Sequence, residues 1–258
     1  MVVVGGALGI GEATTFALAE YGWRVIVADI DIDRAKTIAS RCGGHAQFID
    51  ILDAKTIDEA VAAIEETHGA IYGCVNAAAV FQEKRPPEDT PIEVFDRIID
   101  VNVRGMYLVN VAFAKRMAAH GAGAIVNFSS WTGFHSTPNH AYCASKAAVN
   151  LLTEGMAVEW GRSGVRVNAV TPGFVLVPRM VERLRAGGRY SVDIAGLSPL
   201  HRNVEPSEIA DVVTFLMSDR ASCITGSNIG ADAGIMAATA WHAFGGIPGP
   251  RPTTRNSA

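Results

Sequence analysis

Short apolar segments alternate with longer helical patterns along almost the whole chain, and this alternation constrains the fold more than any other feature. We predict strands at 2–4, 24–29, 45–50, 71–78, 124–130, 165–170 and 227–231, and helices at 9–21, 33–42, 54–68, 91–101, 103–119, 142–161 and 206–218. Apolar strands separated by helices are typical of a parallel sheet covered on both faces. The sequence therefore predicts a doubly wound α/β fold with about seven strands.

The chain is predicted to form a single domain. Its 258 residues are an ordinary length for one α/β unit. We place this domain at residues 1–240 and expect the Gly/Pro-rich tail, 241–258, to be loosely held. The segment at about 174–200 is long, follows a predicted strand and lies where a lid over a substrate would be.

Composition and charge exclude several classes of partner. The net charge is −4 with no block of like charges, which argues against nucleic acid or an anionic membrane. The four cysteines are widely separated and predict reduced thiols, with no disulfide framework and no metal site. We find neither a signal-peptide pattern nor an apolar run of the ~18 residues that a spanning helix needs. These features favour a cytoplasmic protein that acts on a small molecule.

The first predicted turn has the pattern of a dinucleotide site. Gly5, Gly9 and Gly11 lie between an apolar strand and a helix. Glycines there permit a tight turn and let the backbone approach a pyrophosphate at the helix N-terminus. The alternative is a turn that only packs the helix against the strand, but the strand–turn–helix context favours the dinucleotide.

Asp29 indicates which dinucleotide would bind. It lies eighteen residues after Gly11, at the end of the second predicted strand. A carboxylate there accepts hydrogen bonds from the adenosine ribose hydroxyls of NAD and repels the extra phosphate of NADP. Neither Leu8 nor Ile30 offers a basic group to that phosphate. The alternative is a surface aspartate at a strand end, but the spacing favours the functional interpretation and NAD.

The stretch YCASK pairs a phenol with an ammonium. Tyr142 and Lys146 are four residues apart on a predicted helix, so they share a face. A nearby cation favours the phenolate and lowers the pKa of tyrosine, which would suit it for proton transfer. Alone, the pattern is better explained by an aromatic residue at a helix start with a solvated lysine one turn later.

Together these motifs resemble the short-chain dehydrogenase/reductase family in its compact single-domain, NAD-type branch, over about residues 2–236. The glycine turn is similar to T-G-x-x-x-G-x-G with Val4 in place of Thr, and CVNAAA stands where the family has L-V-N-N-A-G, with Ala77 and Ala79 as departures. The resemblance implies the Rossmann fold and a catalytic tetrad of Asn102, Ser130, Tyr142 and Lys146. It assigns the cofactor to Gly5, Leu8, Gly9, Ile10, Gly11, Asp29, Ile30, Asp50, Ile51, Asn76, Ala77, Ala78, Tyr142, Lys146, Pro172, Gly173 and Val175.

The resemblance also implies a mechanism in which hydride moves between nicotinamide and an alcohol carbon. Tyr142 would be the acid/base, and Lys146 would lower its pKa and hold the nicotinamide ribose. Ser130 would stabilise the substrate oxygen, while Asn102 would hold a water that links Lys146 to solvent. Val177 stands where a threonine often binds the carboxamide, and this departure would change that contact.

The substrate side is predicted less sharply. Besides Ser130, we expect Trp131, Phe174 and Met180 to form a mostly apolar pocket for a mid-sized secondary alcohol or ketone. The four lid arginines, Arg179, Arg183, Arg185 and Arg189, could bind an acidic substrate, but their helical spacing favours a solvent-facing surface.

Other functions stay open at this point. Alternatives are a 3-oxoacyl-thioester reductase, a dihydrodiol or sterol dehydrogenase, and a nucleotide-sensing protein without turnover. The resemblance further implies a homotetramer that packs through helices 103–119 and 142–161.

Overall fold

The computed structural model describes residues 1–187 and 193–251 of the chain. Its core is one parallel sheet of seven strands in the order β3-β2-β1-β4-β5-β6-β7. The strands are β1 Val2–Val4, β2 Ile26–Asp29, β3 His45–Phe48, β4 Gly73–Asn76, β5 Gly123–Phe128, β6 Val165–Pro172 and β7 Asn228–Ala231. The predicted doubly wound α/β fold is confirmed, and each predicted strand overlaps an observed one.

Helices cover both faces of the sheet because the buried strands are apolar on both sides. The helices are α1 Gly9–Glu20, α2 Ile32–Cys42, α3 Ala54–His68, α4 Ile92–Ile99, α5 Met106–His120, α6 His140–Gly161, α7 Pro178–Ala186, α8 Pro206–Met217 and α9 Ile235–Ala238. In β1, Val2 and Val4 pack with α3, α5 and α6, whereas Val3 packs on the opposite face with α1 and α8. This division follows from the alternation of side chains along a strand.

The predicted break between the helices 91–101 and 103–119 is wrong. The chain stays helical from α4 to α5 through a π-helical segment, Asp100–Gly105. Such segments widen a helix by one residue per turn and occur mostly at functional sites. Here the widened turn holds Asn102, which is 1% exposed.

The strand order reverses between β1 and β4, which are neighbours in the sheet. In open α/β sheets, ligands bind outside the carboxyl ends of the strands at such a point. The segment after β6 includes α7 and a bridge between Val175 and Val204. Part of the predicted lid, 188–192, lies outside the described residues.

The tail begins with a short 3₁₀ helix, Trp241–Phe244, and residues 252–258 lie outside the described part of the chain. Its loose attachment stays a prediction. Cys42, Cys74, Cys143 and Cys223 are free thiols. Within 1–187 and 193–251, no helix has the length and apolarity that crossing a bilayer requires.

Candidate active site

A cleft of about 770 Å³ lies at the carboxyl ends of the strands, where their order reverses. It extends from the glycine turn and the ends of β2 and β3 to the start of α6 and the α7 segment. The cleft brings together nearly all of the residues that the sequence assigned to cofactor and substrate. The exceptions are Asn76 and Asn102, which do not line it.

The glycine turn requires glycine on steric grounds. Gly5 has φ +74°, and a Cβ there would lie 2.5 Å from the backbone nitrogen of Ala78. A Cβ on Gly11 would lie 2.0 Å from the carbonyl oxygen of Gly5. The turn leads into α1, whose N-cap residue, Leu8, makes no side-chain cap hydrogen bond. The first-turn amides of α1 therefore have no side-chain acceptor at the N-cap, as a phosphate-binding helix start requires.

Asp29 is oriented by backbone amides at the edge of the cleft. Its Oδ2 accepts a hydrogen bond from the Ala7 amide at 3.2 Å, and its Oδ1 accepts one from the Asp31 amide at 3.0 Å. Ile30 beside it lines the cleft and is exposed. The carboxylate and the glycine turn line one cleft, so these residues fit a dinucleotide.

Asp50 is held in a similar way at the end of β3. Its Oδ1 accepts from the Leu52 amide at 2.9 Å, and its backbone amide donates to Thr56 Oγ1 at 3.2 Å. Ile51 next to it is buried and lines the cleft. The pair forms part of the cleft wall that the sequence assigned to the cofactor.

Asn76 does not line the cleft, and its contact with the cofactor stays a prediction. The side chain is 3% exposed, and its Nδ2 donates to the carbonyl oxygen of Met106 at 3.3 Å. It therefore ties β4 to α5 behind the cleft. Ala77, Ala78 and Ala79 line the cleft, so both departures from the family pattern, Ala77 and Ala79, lie directly at the site.

The end of β6 and the residues after it form another part of the cleft wall that the sequence assigned to the cofactor. Pro172, Gly173 and Val175 line the cleft as predicted. A Cβ on Gly173 would lie 2.8 Å from the Cα of Asp232, so only glycine fits at this position. Val177 also lines the cleft, and its Cγ1 lies 3.4 Å from the position of a Cβ on Gly9. Valine thus keeps packing over the glycine turn while it removes the hydroxyl of threonine.

Tyr142 and Lys146 are both buried on one face of α6, as the spacing predicted. Lys146 Nζ donates a hydrogen bond to the carbonyl oxygen of Phe128 at 2.8 Å and lies 5.6 Å from the centre of the Tyr142 ring. Ser130 comes from the end of β5, and its Oγ accepts from the amide and hydroxyl of Thr132. Ser130, Tyr142 and Lys146 therefore meet at the inner end of the cleft.

The expected lowering of the Tyr142 pKa by Lys146 is wrong for this geometry. Burial raises the pKa of Tyr142, and a hydrogen bond with Ser130 and the charge of Arg179 oppose that rise only in part. Burial also lowers the pKa of Lys146 to about 8. Desolvation, which disfavours the charged form of each group, outweighs the attraction expected between phenolate and ammonium.

The side chain of Asn102 makes hydrogen bonds to backbone groups and to a neighbouring serine. Its Oδ1 accepts from the Val80 amide at 2.8 Å, and its Nδ2 donates to the Val80 carbonyl at 2.9 Å and to Ser145 Oγ at 3.1 Å. Ser145 Oγ donates in turn to the carbonyl of Tyr142 at 2.7 Å. Asn102 therefore links the loop after β4 to the first turns of α6.

Aromatic side chains line the substrate end. Trp131 and Phe174 lie with ring centres 5.5 Å apart, and Met180, on α7, is buried. Phe81, which the sequence did not single out, stacks on Tyr142 with ring centres 5.1 Å apart and an interplanar angle of 26°. Gln82, also missed, accepts the Tyr142 amide hydrogen bond at 3.2 Å. No local sequence pattern indicates either residue, because both contact Tyr142, which lies on a helix distant in sequence.

Arg179 is exposed, as the solvent-facing interpretation of the lid arginines expects, whereas Arg183 is half-buried. Arg179 and Arg183 line the cleft and both donate through Nη2 to Glu83 Oε1. Arg185 is exposed on α7, as expected. Arg189 lies outside the described residues.

Comparisons with known proteins agree with this geometry. A family model described as enoyl-(acyl carrier protein) reductase matches residues 5–236. The chain is 34% identical over 237 residues to an NAD-dependent glycerol dehydrogenase of Listeria innocua serovar 6a, covering 90% of this chain and 92% of the relative. It is 35% identical over 246 residues to a cis-4-hydroxycyclohexanecarboxylate dehydrogenase of Sinomonas cyclohexanicum, covering 92% and 96%.

A solved structure described as a short-chain dehydrogenase/reductase family protein has a TM-score of 0.80 and 35% identity, and the match covers 92% of this chain and 96% of that one. A parallel sheet of this order with a dinucleotide-type cleft defines a Rossmann-type oxidoreductase fold. The chain belongs to the short-chain dehydrogenase/reductase family, and the resemblance seen in the sequence is confirmed.

Proposed function

We propose that this chain is an NAD-dependent oxidoreductase that interconverts a mid-sized, mostly apolar secondary alcohol and its ketone. One observation carries the proposal. A single cleft holds Asp29 and the glycine turn at one end and Ser130, Tyr142 and Lys146 at the other. A dinucleotide bound along this cleft would present its reactive end to the residues that can move a proton.

The residues of the first turn would hold the dinucleotide through backbone amides, and Asp29 would accept hydrogen bonds from its adenosine ribose. The bound nicotinamide nucleotide supplies the hydride acceptor or donor. Lys146, fixed by the carbonyl of Phe128, would hold the second ribose. Asp29 favours NAD over NADP because its charge would repel a 2′-phosphate.

The chain itself handles the proton. During alcohol oxidation, Tyr142 Oη would take the hydroxyl proton while the Ser130 hydroxyl hydrogen-bonds the substrate oxygen. Because burial raises the pKa of Tyr142, the protonated phenol dominates at neutral pH and is ready to donate during ketone reduction. Oxidation needs the phenolate, so its rate should rise as pH increases.

The pocket favours a substrate with a hydrocarbon body. Trp131, Phe174 and Phe81 provide aromatic walls near Tyr142. The relative named for 4-hydroxycyclohexanecarboxylate suggests a cyclic alcohol, whereas the relative named for glycerol suggests a small polyol. The aromatic walls support the cyclic class. The second candidate is a 3-oxoacyl-thioester reductase, because the description of the family model names an enzyme that acts on another acyl group carried by acyl carrier protein.

A substrate panel tests the proposal. Purified protein is mixed with NAD or NADP and with cyclohexanol, 4-hydroxycyclohexanecarboxylate, glycerol, a cyclohexadienediol, a sterol and a 3-hydroxyacyl thioester, and reduced nicotinamide is followed by absorbance. We expect turnover of a cyclic alcohol with NAD. Preference for NADP and the thioester would support the second candidate. Binding of NAD without turnover of any alcohol would contradict both and favour a nucleotide sensor.

The protein is also proposed to act as a homotetramer through α5 and α6. Tyr107 is 46% exposed, and Leu151 and Val158 are 72% and 83% exposed. Apolar side chains this exposed on two adjacent long helices suit a subunit interface. Light scattering after size-exclusion chromatography would measure the mass, and a monomer near 27.3 kDa would contradict the assignment.

A further inference from the structure

Phe81 joins the catalytic tyrosine to the lid. One face of its ring stacks on Tyr142 at 5.1 Å between centres. The guanidinium carbon of Arg179, on α7, lies 4.8 Å from the centre of the same ring. These two distances added together are the upper limit on the separation between the Arg179 guanidinium and the Tyr142 ring. A cation therefore lies one aromatic ring away from the reacting phenol.

Arg179 carries more hydrogen-bond donors than it uses in the part of the chain that the structure describes. In the part of the chain that the structure describes, its one side-chain hydrogen bond runs from Nη2 to Glu83 Oε1, at 3.2 Å. A guanidinium carries five N–H donors in a planar fork. Its side chain is 44% exposed and lines the cleft, so a carboxylate can reach the remaining donors.

The surrounding charge favours an anion. Arg183 shares the same oxygen of Glu83, and Lys84 also lines the cleft. Among the described residues that line the cleft, the three carboxylates are Asp29, Asp31 and Asp50, which follow β2 and β3. They belong to the adenosine end. Glu83 is thus one carboxylate facing two guanidiniums at the substrate end.

The aromatic walls and the guanidinium define the substrate in two parts. A planar guanidinium binds a carboxylate through two parallel hydrogen bonds, which gives both energy and orientation. The apolar rings of Phe81, Trp131 and Phe174 suit a hydrocarbon body between the reacting carbon and such a carboxylate.

Building on the proposed function, we infer that the preferred substrate is a hydroxy acid whose carboxylate binds Arg179, with its hydroxyl at Ser130 and Tyr142 and its hydrocarbon body against Phe81. Oxidation breaks the C–H bond of the carbinol, and the hydride goes to the nicotinamide. The hydroxyl proton goes to Tyr142, and the carboxylate stays ionised and unchanged. Arg179 is therefore a specificity-determining residue that sets both the substrate class and the orientation of the hydroxyl.

The charge of Arg179 also affects the acidity of Tyr142. Burial raises the pKa of Tyr142, and the charge of Arg179 is among the effects that oppose this rise. A carboxylate on Arg179 would therefore partly cancel that opposing charge. The hydroxy acid would make the phenol slightly less acidic than a neutral alcohol does.

The test compares an acid with its neutral isostere. We measure kcat and KM with saturating NAD for 4-hydroxycyclohexanecarboxylate and 4-hydroxycyclohexanecarboxamide, using the wild type, Arg179→Met, Arg179→Lys and Arg185→Met. The wild type should prefer the acid by about 10- to 100-fold in kcat/KM, the size expected for a charge-assisted contact. Arg179→Met should lose that preference through KM, with the amide changed less than about twofold.

The other two variants separate charge, geometry and the helix itself. Arg179→Lys keeps the charge but loses the fork, so it should recover part of the preference. Arg185→Met changes an exposed arginine of the same helix and should behave as wild type. NAD binding, followed by fluorescence titration, should be equal in all four proteins and identifies any variant that fails to fold.

The outcomes distinguish this inference from the proposed function. Equal turnover of acid and amide by the wild type, or equal losses on both in Arg179→Met, would overturn the hydroxy-acid assignment and leave the alcohol dehydrogenase intact. Much faster turnover of a 3-hydroxyacyl-CoA, lost in Arg179→Met, would assign the anion to a thioester carrier and overturn the inference. Failure of every alcohol with both nucleotides would overturn the proposed function and the inference together.

Discussion

Lys146 donates a hydrogen bond from Nζ to the carbonyl oxygen of Phe128 over 2.8 Å. Phe128 is the last residue of β5, so the end of this strand fixes the ammonium beside Tyr142. Burial on α6 makes this ammonium easier to deprotonate and the neighbouring phenol harder to ionise. Shared burial therefore shifts the pKa of each group towards its uncharged form.

Tyr142→Phe removes the proton-transfer group and keeps the ring that stacks on Phe81. General acid–base catalysis contributes about 10²- to 10⁴-fold, so kcat should fall by at least that factor. NAD affinity, measured by titration, should stay within about threefold of the wild type, since the side chain removed is one hydroxyl. Retention of more than a tenth of the wild-type kcat would contradict the role of Tyr142.

The buried ammonium of Lys146 predicts a pH-dependent stability. Burial lowers the pKa of Lys146 to about 8, whereas an unfolded lysine titrates near ~10.4. Between these values the unfolded chain binds more protons, so the free energy of unfolding rises with pH. Below about pH 8 the cost of burying the ammonium is fully present, about 3 kcal/mol for a shift of this size.

Urea unfolding of the wild type and of Lys146→Met at pH 7, 8.5 and 10 checks this expectation. The advantage of the methionine variant should be largest at pH 7 and shrink towards pH 10. The phenol of Tyr142, whose pKa burial raises, is present in both proteins and starts to oppose stability only above about pH 10. Parallel curves for the two proteins across this range would show that Lys146 is not the cause.

Asp29→Asn tests the choice of nucleotide. The amide keeps an oxygen for the Ala7 N–H and removes the negative charge. We expect KM for NAD to rise about 10-fold, since a hydrogen bond to a charged group is stronger than one to a neutral group. KM for NADP should fall because repulsion of the 2′-phosphate is relieved. Steady-state rates with both nucleotides give the ratio, and an unchanged ratio would place the adenosine ribose elsewhere.

The fold was predictable because its signal is local. Each buried strand of the sheet is a short apolar run, and every crossover contains a helix with its own period. The π-helical segment Asp100–Gly105 was not predictable, since one extra residue in a turn leaves the apolar pattern nearly unchanged. Asn102 was therefore found by resemblance, and its bonds to Val80 and Ser145 only by structure.

The parts of the site that the sequence missed depend on contacts between distant segments. Phe81 and Arg179 meet because the α7 segment folds back over the loop after β4. The pKa of Tyr142 was predicted in the wrong direction because spacing reveals a charged neighbour and says nothing about burial. The motif residues, in contrast, could be found from the sequence. Their geometry is fixed within a few residues, by the steric needs of the glycine turn or by one turn of a helix.

Asn150 anchors the loop that carries Trp131. Its Oδ1 accepts a hydrogen bond from Ser129 Oγ, and its Nδ2 donates to the carbonyl of Gly133 at 3.3 Å. A Cβ on Gly133 would lie 2.8 Å from the backbone carbon of Lys146, so the loop rests directly on α6. The pair of bonds holds the substrate wall against the helix that supplies the acid/base.

Asn150→Ala removes both bonds and leaves the Gly133 carbonyl without its side-chain partner. The free energy of unfolding should fall by about 1–3 kcal/mol, the cost of unpaired buried polar groups. KM for the alcohol should rise severalfold with a smaller change in kcat, because the wall that orients the substrate loosens. Ser129→Ala is the matched control, since Asn150 can still hold Gly133 there. If Ser129→Ala raises KM as much as Asn150→Ala does, the Gly133 bond is not what positions the wall.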